Sequence, residues 1–134
     1  MNGQVTIAGY VSRFDSADAS GDIVRRKAFL GNPADVPLLW QHDLSRPIGR
    51  VVALTEDRRG LRMVARLDPG CRDGGDALAL IRSGAVDGLS FGFRAKKARN
   101  LPGGGRELLS VELLECSVVT LPMHREARID AIKA

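Results

Sequence analysis

The sequence predicts a β-rich α+β fold, in which a mostly antiparallel sheet closes or nearly closes into a β-barrel with one or two peripheral helices. Three observations predict it: about six short segments alternate apolar and polar residues, turn signals join neighbouring segments as hairpins, and one stretch has apolar residues at helical spacing. The chain has 134 residues, 44% of them hydrophobic and 27% charged, which suits one ordinary globular domain. We therefore expect a single domain over residues 1–134.

The amino-terminal half contains four predicted strands, at residues 5–11, 36–42, 48–54 and 61–67. Residues 15–22, rich in Asp, Ser and Gly, predict a loop after the first strand. Residues 27–30 have room for one helical turn before Gly31 ends it. The charged turn at residues 56–60 joins the third and fourth strands, which form the clearest hairpin in the sequence.

The carboxy-terminal half begins with the one well-defined helix, predicted from Asp76 to Ser83. Gly84 follows as its end signal, and the apolar face consists of Ala77, Leu78, Leu80 and Ile81. Two further β segments are predicted at residues 86–96 and 107–120, joined by a turn containing three successive glycines. The tail from Arg125 onward is predicted as a short helix.

Composition excludes several classes of protein. No apolar run approaches the roughly 20 residues needed to span a bilayer. The net charge of +4 could favour an acidic partner, but only 4% of residues are aromatic, so the chain offers no stacking platform for single-stranded nucleic acid. Two cysteines are too few for a structural metal site and are expected to be free thiols in a reducing cytosol. We therefore expect no metal, cofactor or membrane partner, and the composition disfavours nucleic acid as a ligand.

Ser90 is the first candidate catalytic residue, because it stands alone between two glycines on a predicted strand. Side chains alternate along a strand, so Leu89, Phe91 and Phe93 face one side while Ser90 shares the other with the glycines at 88 and 92. Glycine on a strand often marks a place where another backbone or a ligand comes close. Two interpretations remain open: clearance for an extended peptide over the hydroxyl, or a bulge or barrel corner with an incidental serine.

A serine nucleophile needs a base, and the chain contains only two histidines, His42 and His124. His42 lies at the polar end of its predicted strand, where partial desolvation would suit a base with a pKa near neutrality. His124 follows the last long β segment and is expected to be more exposed. His42 is therefore the preferred base, although a strand-end histidine with no catalytic role has the same sequence pattern.

Glu115 is the candidate for the group that orients the histidine. It is embedded in an apolar β segment, where an unpaired carboxylate would cost several kcal/mol, so it must have a partner. That partner could equally be one of the many arginines. Asp43 is a poorer choice because it faces the opposite side of the strand from its neighbour His42.

Taken in order, the chain resembles the prohead proteases of tailed phages, the capsid-maturation serine peptidases related to herpesvirus assemblins. The resemblance covers nearly the whole chain and rests on motifs whose order and spacing are specific when taken together. These motifs are Phe14-Asp15, Gly21-Asp22, Ala28-Phe29, Leu38 to Asp43, Pro47-Ile48-Gly49, Gly60-Leu61, Gly88 to Phe93, and Leu114 to Val119 followed by Pro122.

The resemblance implies a serine endopeptidase with Ser90 as nucleophile, His42 as base and Glu115 as the third member. The assemblins use a second histidine as the third member, which leaves His124 as an alternative. The resemblance also implies homodimers, a phage major capsid protein or scaffold as substrate, and a location in the bacterial host cytoplasm inside the assembling procapsid.

Three alternatives to this function remain. The first is a non-enzymatic capsid-assembly or scaffolding module on the same fold, since fold alone does not determine function. The second is a cysteine peptidase that uses Cys116, although its place within an apolar strand favours an inert buried thiol. The third is a nucleic-acid-binding module, whose affinity would fall steeply with salt.

Overall fold

The computed structural model describes residues 4–134. Over these residues the chain forms eight β-strands and one α-helix. Their bounds are β1 Val5–Arg13, β2 Asp22–Val24, β3 Pro37–Trp40, β4 Asp43–Glu56, β5 Gly60–Leu67, α1 Arg72–Ser83, β6 Gly88–Asn100, β7 Arg106–Val119 and β8 Ile129–Lys133. Within the same residues, no helix is both long and apolar enough to cross a membrane.

All eight strands belong to one mixed sheet in the order β2-β7-β3-β4-β5-β1-β8, with β6 paired to β7. The long strand β7 organises this sheet, because it pairs with three partners. Strand β2 runs parallel to residues 106–108 of β7, strand β3 runs parallel to residues 116–118, and β6 is antiparallel along its whole length. The two parallel pairings bring segments that are distant in sequence against the strand that carries Glu115.

The expected closed or nearly closed barrel is wrong, because the sheet stays open. Among residues 4–134, β6 has a ladder only with β7, and β8 has a ladder only with β1. Where the two edges approach, they share a single bridge between Gly88 and Arg128, and the rest of the β6 edge has no strand partner in the described chain. Hairpin signals predict which sequential strands pair, but they carry no information on whether the two outermost strands meet.

The helix and the tail also differ from the prediction. Helix α1 begins four residues earlier than expected, with Cys71 as its N-cap accepting a hydrogen bond from the Gly74 amide at 3.3 Å. Its first turn contains Gly74 and Gly75, and because glycine is a poor helix former, the sequence showed no sign that the helix begins there. Gly84 ends the helix in a left-handed conformation, as predicted. The tail is not a helix but strand β8, because it finds a pairing partner in β1.

The apolar side of β6 packs against the core as predicted, but burial does not alternate along the strand, because Ser90 is buried as well. Leu89 is fully buried in the core, and Phe91 and Phe93 pack against it. The centroid of the Phe91 ring lies 5.1 Å from the centroid of the Phe93 ring. It lies 5.2 Å from the centroid of the Phe29 ring, which it meets edge to face. This aromatic packing fixes one face of β6 against the core and so leaves Ser90 on the other face.

Candidate active site

The sequence predicted that His42 lies at the end of a strand. In the structure it lies instead at the tip of the hairpin between β3 and β4. Trp40 pairs with Asp43, so Gln41 and His42 form a two-residue turn. Both have positive φ values, 54° and 60°, as in a type I′ turn. For residues other than glycine this left-handed conformation costs roughly 1–2 kcal/mol each, so neighbouring contacts must hold the turn in place.

Strand β7 and the residue after it provide those contacts. The Gln41 amide donates a hydrogen bond to the Val118 carbonyl at 2.9 Å. The Gln41 side chain donates to the Thr120 hydroxyl at 2.7 Å and accepts from the Thr120 amide at 3.1 Å. The His42 amide donates to Ser117 Oγ at 3.1 Å. The strained turn is therefore held by four hydrogen bonds, two to β7 and two to Thr120.

The structure brings Glu115 and His42 together, as the sequence analysis predicted. Glu115 is buried, and its Oε2 lies 2.6 Å from His42 Nδ1 while its Oε1 accepts a hydrogen bond from Ser117 Oγ at 2.7 Å. Because an ionised carboxylate only accepts hydrogen bonds, the proton of the neutral imidazole must be on Nδ1. The lone pair of His42 is therefore on Nε2, the nitrogen that a base would use.

The same carboxylate controls the acidity of the imidazole. The hydrogen bond to Glu115 raises the pKa of His42 above its ordinary value, partial burial opposes this by lowering it, and the negative charge of Glu115 raises it further. The side chain is 41% exposed, so a substrate could reach it. The arrangement provides a base that is held in one tautomer and is accessible from solvent.

Ser90 lies on the strand beside this group. In the β6–β7 ladder it pairs directly with Ser117, and Gly92 pairs with Glu115. Directly paired residues project from the same face, with Cβ atoms about 4.5–5.5 Å apart. Ser90 therefore shares a face with the Glu115–Ser117 pair that holds His42. No hydrogen bond joins the Ser90 hydroxyl to either histidine in the described part of the chain.

The glycines beside Ser90 make room for the protein's own atoms. A Cβ at Gly92 would overlap the Glu115 carboxylate, with Cδ at 3.0 Å and Cγ at 3.1 Å. A Cβ at Gly88 would lie 2.7 Å from the Val119 carbonyl and 2.8 Å from Pro122 Cδ. Both glycines therefore leave room for neighbouring atoms of the protein itself. The one at 92 allows the carboxylate to lie across β6 and reach His42.

His124 is placed differently from His42. Its Nδ1 accepts a hydrogen bond from the Glu126 amide at 3.1 Å, so its proton is on Nε2, which lies 2.7 Å from the Ser16 hydroxyl. Burial lowers the pKa of His124 below its ordinary value, which favours the neutral form of the ring. Together with Ser90 and Ser12 it lines a small cleft between β1 and β6. With its lone pair already occupied, His124 is not poised to act as a base.

The remaining candidates, Asp43 and Cys116, lie outside the hydrogen-bond network formed by His42, Glu115 and Ser117. Asp43 turns toward its own hairpin, where its Oδ1 accepts hydrogen bonds from the amide and hydroxyl of Ser45 at 2.9 and 2.6 Å. Cys116 is fully buried, and burial is the main cause of its strongly raised pKa, so it would remain a thiol. Among residues 4–134, no cluster of three or more His, Cys, Asp or Glu side chains is arranged to hold a metal ion.

Two members of the network were missed in the sequence. Ser117 lies two residues after Glu115, so the alternation that places Glu115 on one face of its strand also places the serine there. That signal was available. Gln41 could not have been found in the same way, because its role depends on a positive-φ turn and on a parallel pairing with β7 that the sequence does not reveal.

Replacing Gly92 with alanine should distort this network, because the new Cβ has no room beside the Glu115 carboxylate. We expect the free energy of unfolding in urea to fall by about 1–3 kcal/mol, the range for overpacking a well-packed site. Gly70→Ala is the matched control, since a Cβ there meets no atom of the described residues within 4 Å. Equal stability of the two variants would contradict the close approach at Gly92.

Comparison with known proteins gives consistent results. The model of the caudovirus prohead serine proteases matches residues 1–134. The prohead protease of Enterobacteria phage HK97 is 34% identical over 133 residues, covering 94% of this chain and 59% of that protein. The capsid polyprotein of Pseudomonas phage PAJU2 is 40% identical over 106 residues, which is 74% of this chain and 16% of that protein. The chain thus spans less than two thirds of these relatives.

Among solved structures, the KSHV protease in complex with a hexapeptide phosphonate inhibitor superposes with a TM-score of 0.57 at 11% identity, covering 98% of this chain and 65% of that one. At this identity the likeness concerns the fold alone. The family match over the whole chain and the 34% identity to a phage prohead protease agree with the resemblance seen in the sequence. The chain belongs to the caudovirus prohead serine protease family.

Proposed function

We propose that this chain is a serine endopeptidase in which Ser90 is the nucleophile, His42 the general base and Glu115 the group that orients His42. The observation that carries the proposal is the 2.6 Å contact between Glu115 Oε2 and His42 Nδ1. It directs the imidazole proton to Nδ1 and leaves the lone pair on Nε2 available to accept a proton from Ser90. This is the division of roles that a serine–histidine–carboxylate triad requires.

In the proposed reaction Ser90 Oγ attacks the carbonyl carbon of the scissile peptide bond and transfers its proton to His42 Nε2. The resulting imidazolium lies against the Glu115 carboxylate, whose charge stabilises it. Collapse of the tetrahedral intermediate breaks the C–N bond, and His42 gives the proton to the leaving amine. Water, activated by the same nitrogen, then hydrolyses the acyl-enzyme. In the proposed reaction, backbone N–H groups stabilise the oxyanion of the tetrahedral intermediate.

The proposed substrates are capsid or scaffold proteins of the assembling phage, cut inside the procapsid in the host cytoplasm. Family membership supports this class of substrate, as does the name of the HK97 relative, a prohead protease. The relative named as a capsid polyprotein contains a segment 40% identical to this chain. The occurrence of such a segment within a protein named as a capsid polyprotein favours the same substrate class.

A non-enzymatic scaffolding module is the main competing function. Such a module would have no need for a strained turn that presents a histidine in a defined tautomer. A cysteine peptidase is disfavoured by the burial of Cys116. Both alternatives predict that the Ser90 hydroxyl is dispensable for the function of the chain.

Coexpression with the major capsid protein of the same phage tests the proposal. The unmodified chain should shorten the capsid protein, as seen by gel electrophoresis and mass spectrometry, and should react with a fluorophosphonate probe at Ser90. Ser90→Ala should abolish both without unfolding, because this side chain lies away from the core face of β6. Ser110→Ala on β7, which removes a hydroxyl far from His42, is the control and should retain both activities.

Cleavage by Ser90→Ala at the rate of the unmodified chain would refute the nucleophile. Loss of the folded circular dichroism spectrum in that variant would show that the serine has a structural role instead. An unmodified chain that neither cleaves the capsid protein nor reacts with the probe would favour the scaffolding module.

We further propose that the active form is a homodimer that uses helix α1. On the apolar face of this helix, Ala77 and Ile81 are buried in the core, whereas Leu80 is 36% exposed. Apolar surface of this kind could pack against the same helix of a second copy across a two-fold axis. The support is the exposed part of the helix together with the resemblance to the assemblins.

Specific activity should therefore rise with protein concentration as dimers form, and Leu80→Lys should shift that rise to higher concentration. Light scattering measured alongside a titration of probe labelling tests the coupling. A chain that stays monomeric at high concentration with constant specific activity would exclude it.

A further inference from the structure

Ser117 is a buried hydroxyl that touches both of the groups that define the base. It lies on β7 two residues after Glu115 and has no exposed surface. Its Oγ accepts a hydrogen bond from the His42 amide at 3.1 Å and donates one to Glu115 Oε1 at 2.7 Å. Another buried serine, Ser12, has no hydrogen-bond partner for its hydroxyl within the described residues, so burial alone does not impose such a pairing here.

The proton directions around Ser117 are mutually consistent. The His42 amide can only donate, so Ser117 Oγ accepts from it and points its own proton at Glu115. The other carboxylate oxygen of Glu115 then faces His42 Nδ1 at 2.6 Å. These three hydrogen bonds form a closed ring that begins at the backbone of His42 and returns to its side chain.

This closed ring of hydrogen bonds restrains two torsions, the terminal side-chain torsion of Glu115 and the backbone φ of His42. The terminal torsion of a glutamate is broad, so a carboxylate held at one oxygen can rotate away from the imidazole. His42 itself has a positive φ of 60°, which a histidine does not favour. Ser117 holds the second carboxylate oxygen and the strained backbone amide at the same time.

We propose that Ser117 is a positioning residue, which keeps Glu115 and the His42 turn in the geometry that the proposed triad needs. The inference rests on the proposed function. Although Ser117 pairs with Ser90 across the strands, it is not a second nucleophile, because its proton is directed to a carboxylate and, within the described residues, no imidazole nitrogen forms a hydrogen bond with its oxygen.

Substitutions that separate the hydroxyl from its volume test this role, with a fluorophosphonate as the probe. Ser117→Ala removes the hydroxyl, Ser117→Cys keeps a similar volume with a weak donor, and Ser117→Thr keeps the hydroxyl. The maximal rate of labelling at Ser90 should fall about tenfold in the alanine variant, while the probe concentration for half-maximal rate stays unchanged. The cysteine variant should resemble alanine, and the threonine variant should retain more activity than either. Ser110→Ala is the matched control on the same strand.

A packing role would give the opposite order, with the cysteine variant close to the unmodified chain and the threonine variant, which adds a methyl group in a fully buried position, the most impaired. That order, or an alanine variant that labels at the unmodified rate, would overturn the inference while leaving the proposed function intact. If threonine prevents folding, the comparison of cysteine with alanine still decides between the roles. An unmodified chain that does not label would overturn the proposed function, and the inference with it.

Discussion

The buried carboxylate of Glu115 is the constraint on which the rest of the site depends. A charge in the interior of a sheet is tolerated only when hydrogen bonds satisfy its oxygens, and here His42 takes one oxygen and Ser117 the other. Its position also excludes any side chain at residue 92, since a Cβ there would overlap it. One acidic residue thus accounts for a glycine on β6, a serine on β7 and the orientation of the histidine.

The open, mixed sheet is what brings these groups together. Strand β3 runs parallel to the end of β7 and carries the hairpin tip with His42 to Glu115, while β6 places Ser90 opposite Ser117 from the other side. The strained turn of Gln41 and His42 is stable because four hydrogen bonds tie it to β7 and Thr120. Strain maintained by its surroundings in this way is characteristic of functional sites.

Strand alternation and burial made part of this site predictable from the sequence. They placed Ser90 away from the core and required a partner for Glu115, whereas the choice of His42 over an arginine as that partner depended on the family resemblance. The turn at His42 was not predictable, because it is held by β7 through a long-range parallel pairing that local patterns do not encode. The open sheet was not predictable, because local patterns do not say whether the two outermost strands meet. The start of α1 was concealed by glycines, and the tail became a strand only because β1 offered a free edge.

The two histidines of this chain allow a direct test, because each serves as the internal control for the other. The central claim is that Glu115 holds His42 with its proton on Nδ1 and raises its pKa, whereas His124 has its proton on Nε2 and a pKa lowered by burial. A pH titration of long-range ¹H–¹⁵N correlations should therefore show opposite neutral tautomers, with the pKa of His42 above the ordinary value of about 6.5 and that of His124 below it. In Glu115→Gln only His42 should change, losing its raised pKa. A neutral His42 protonated on Nε2, or a His42 pKa that is unaffected by Glu115→Gln, would contradict the account.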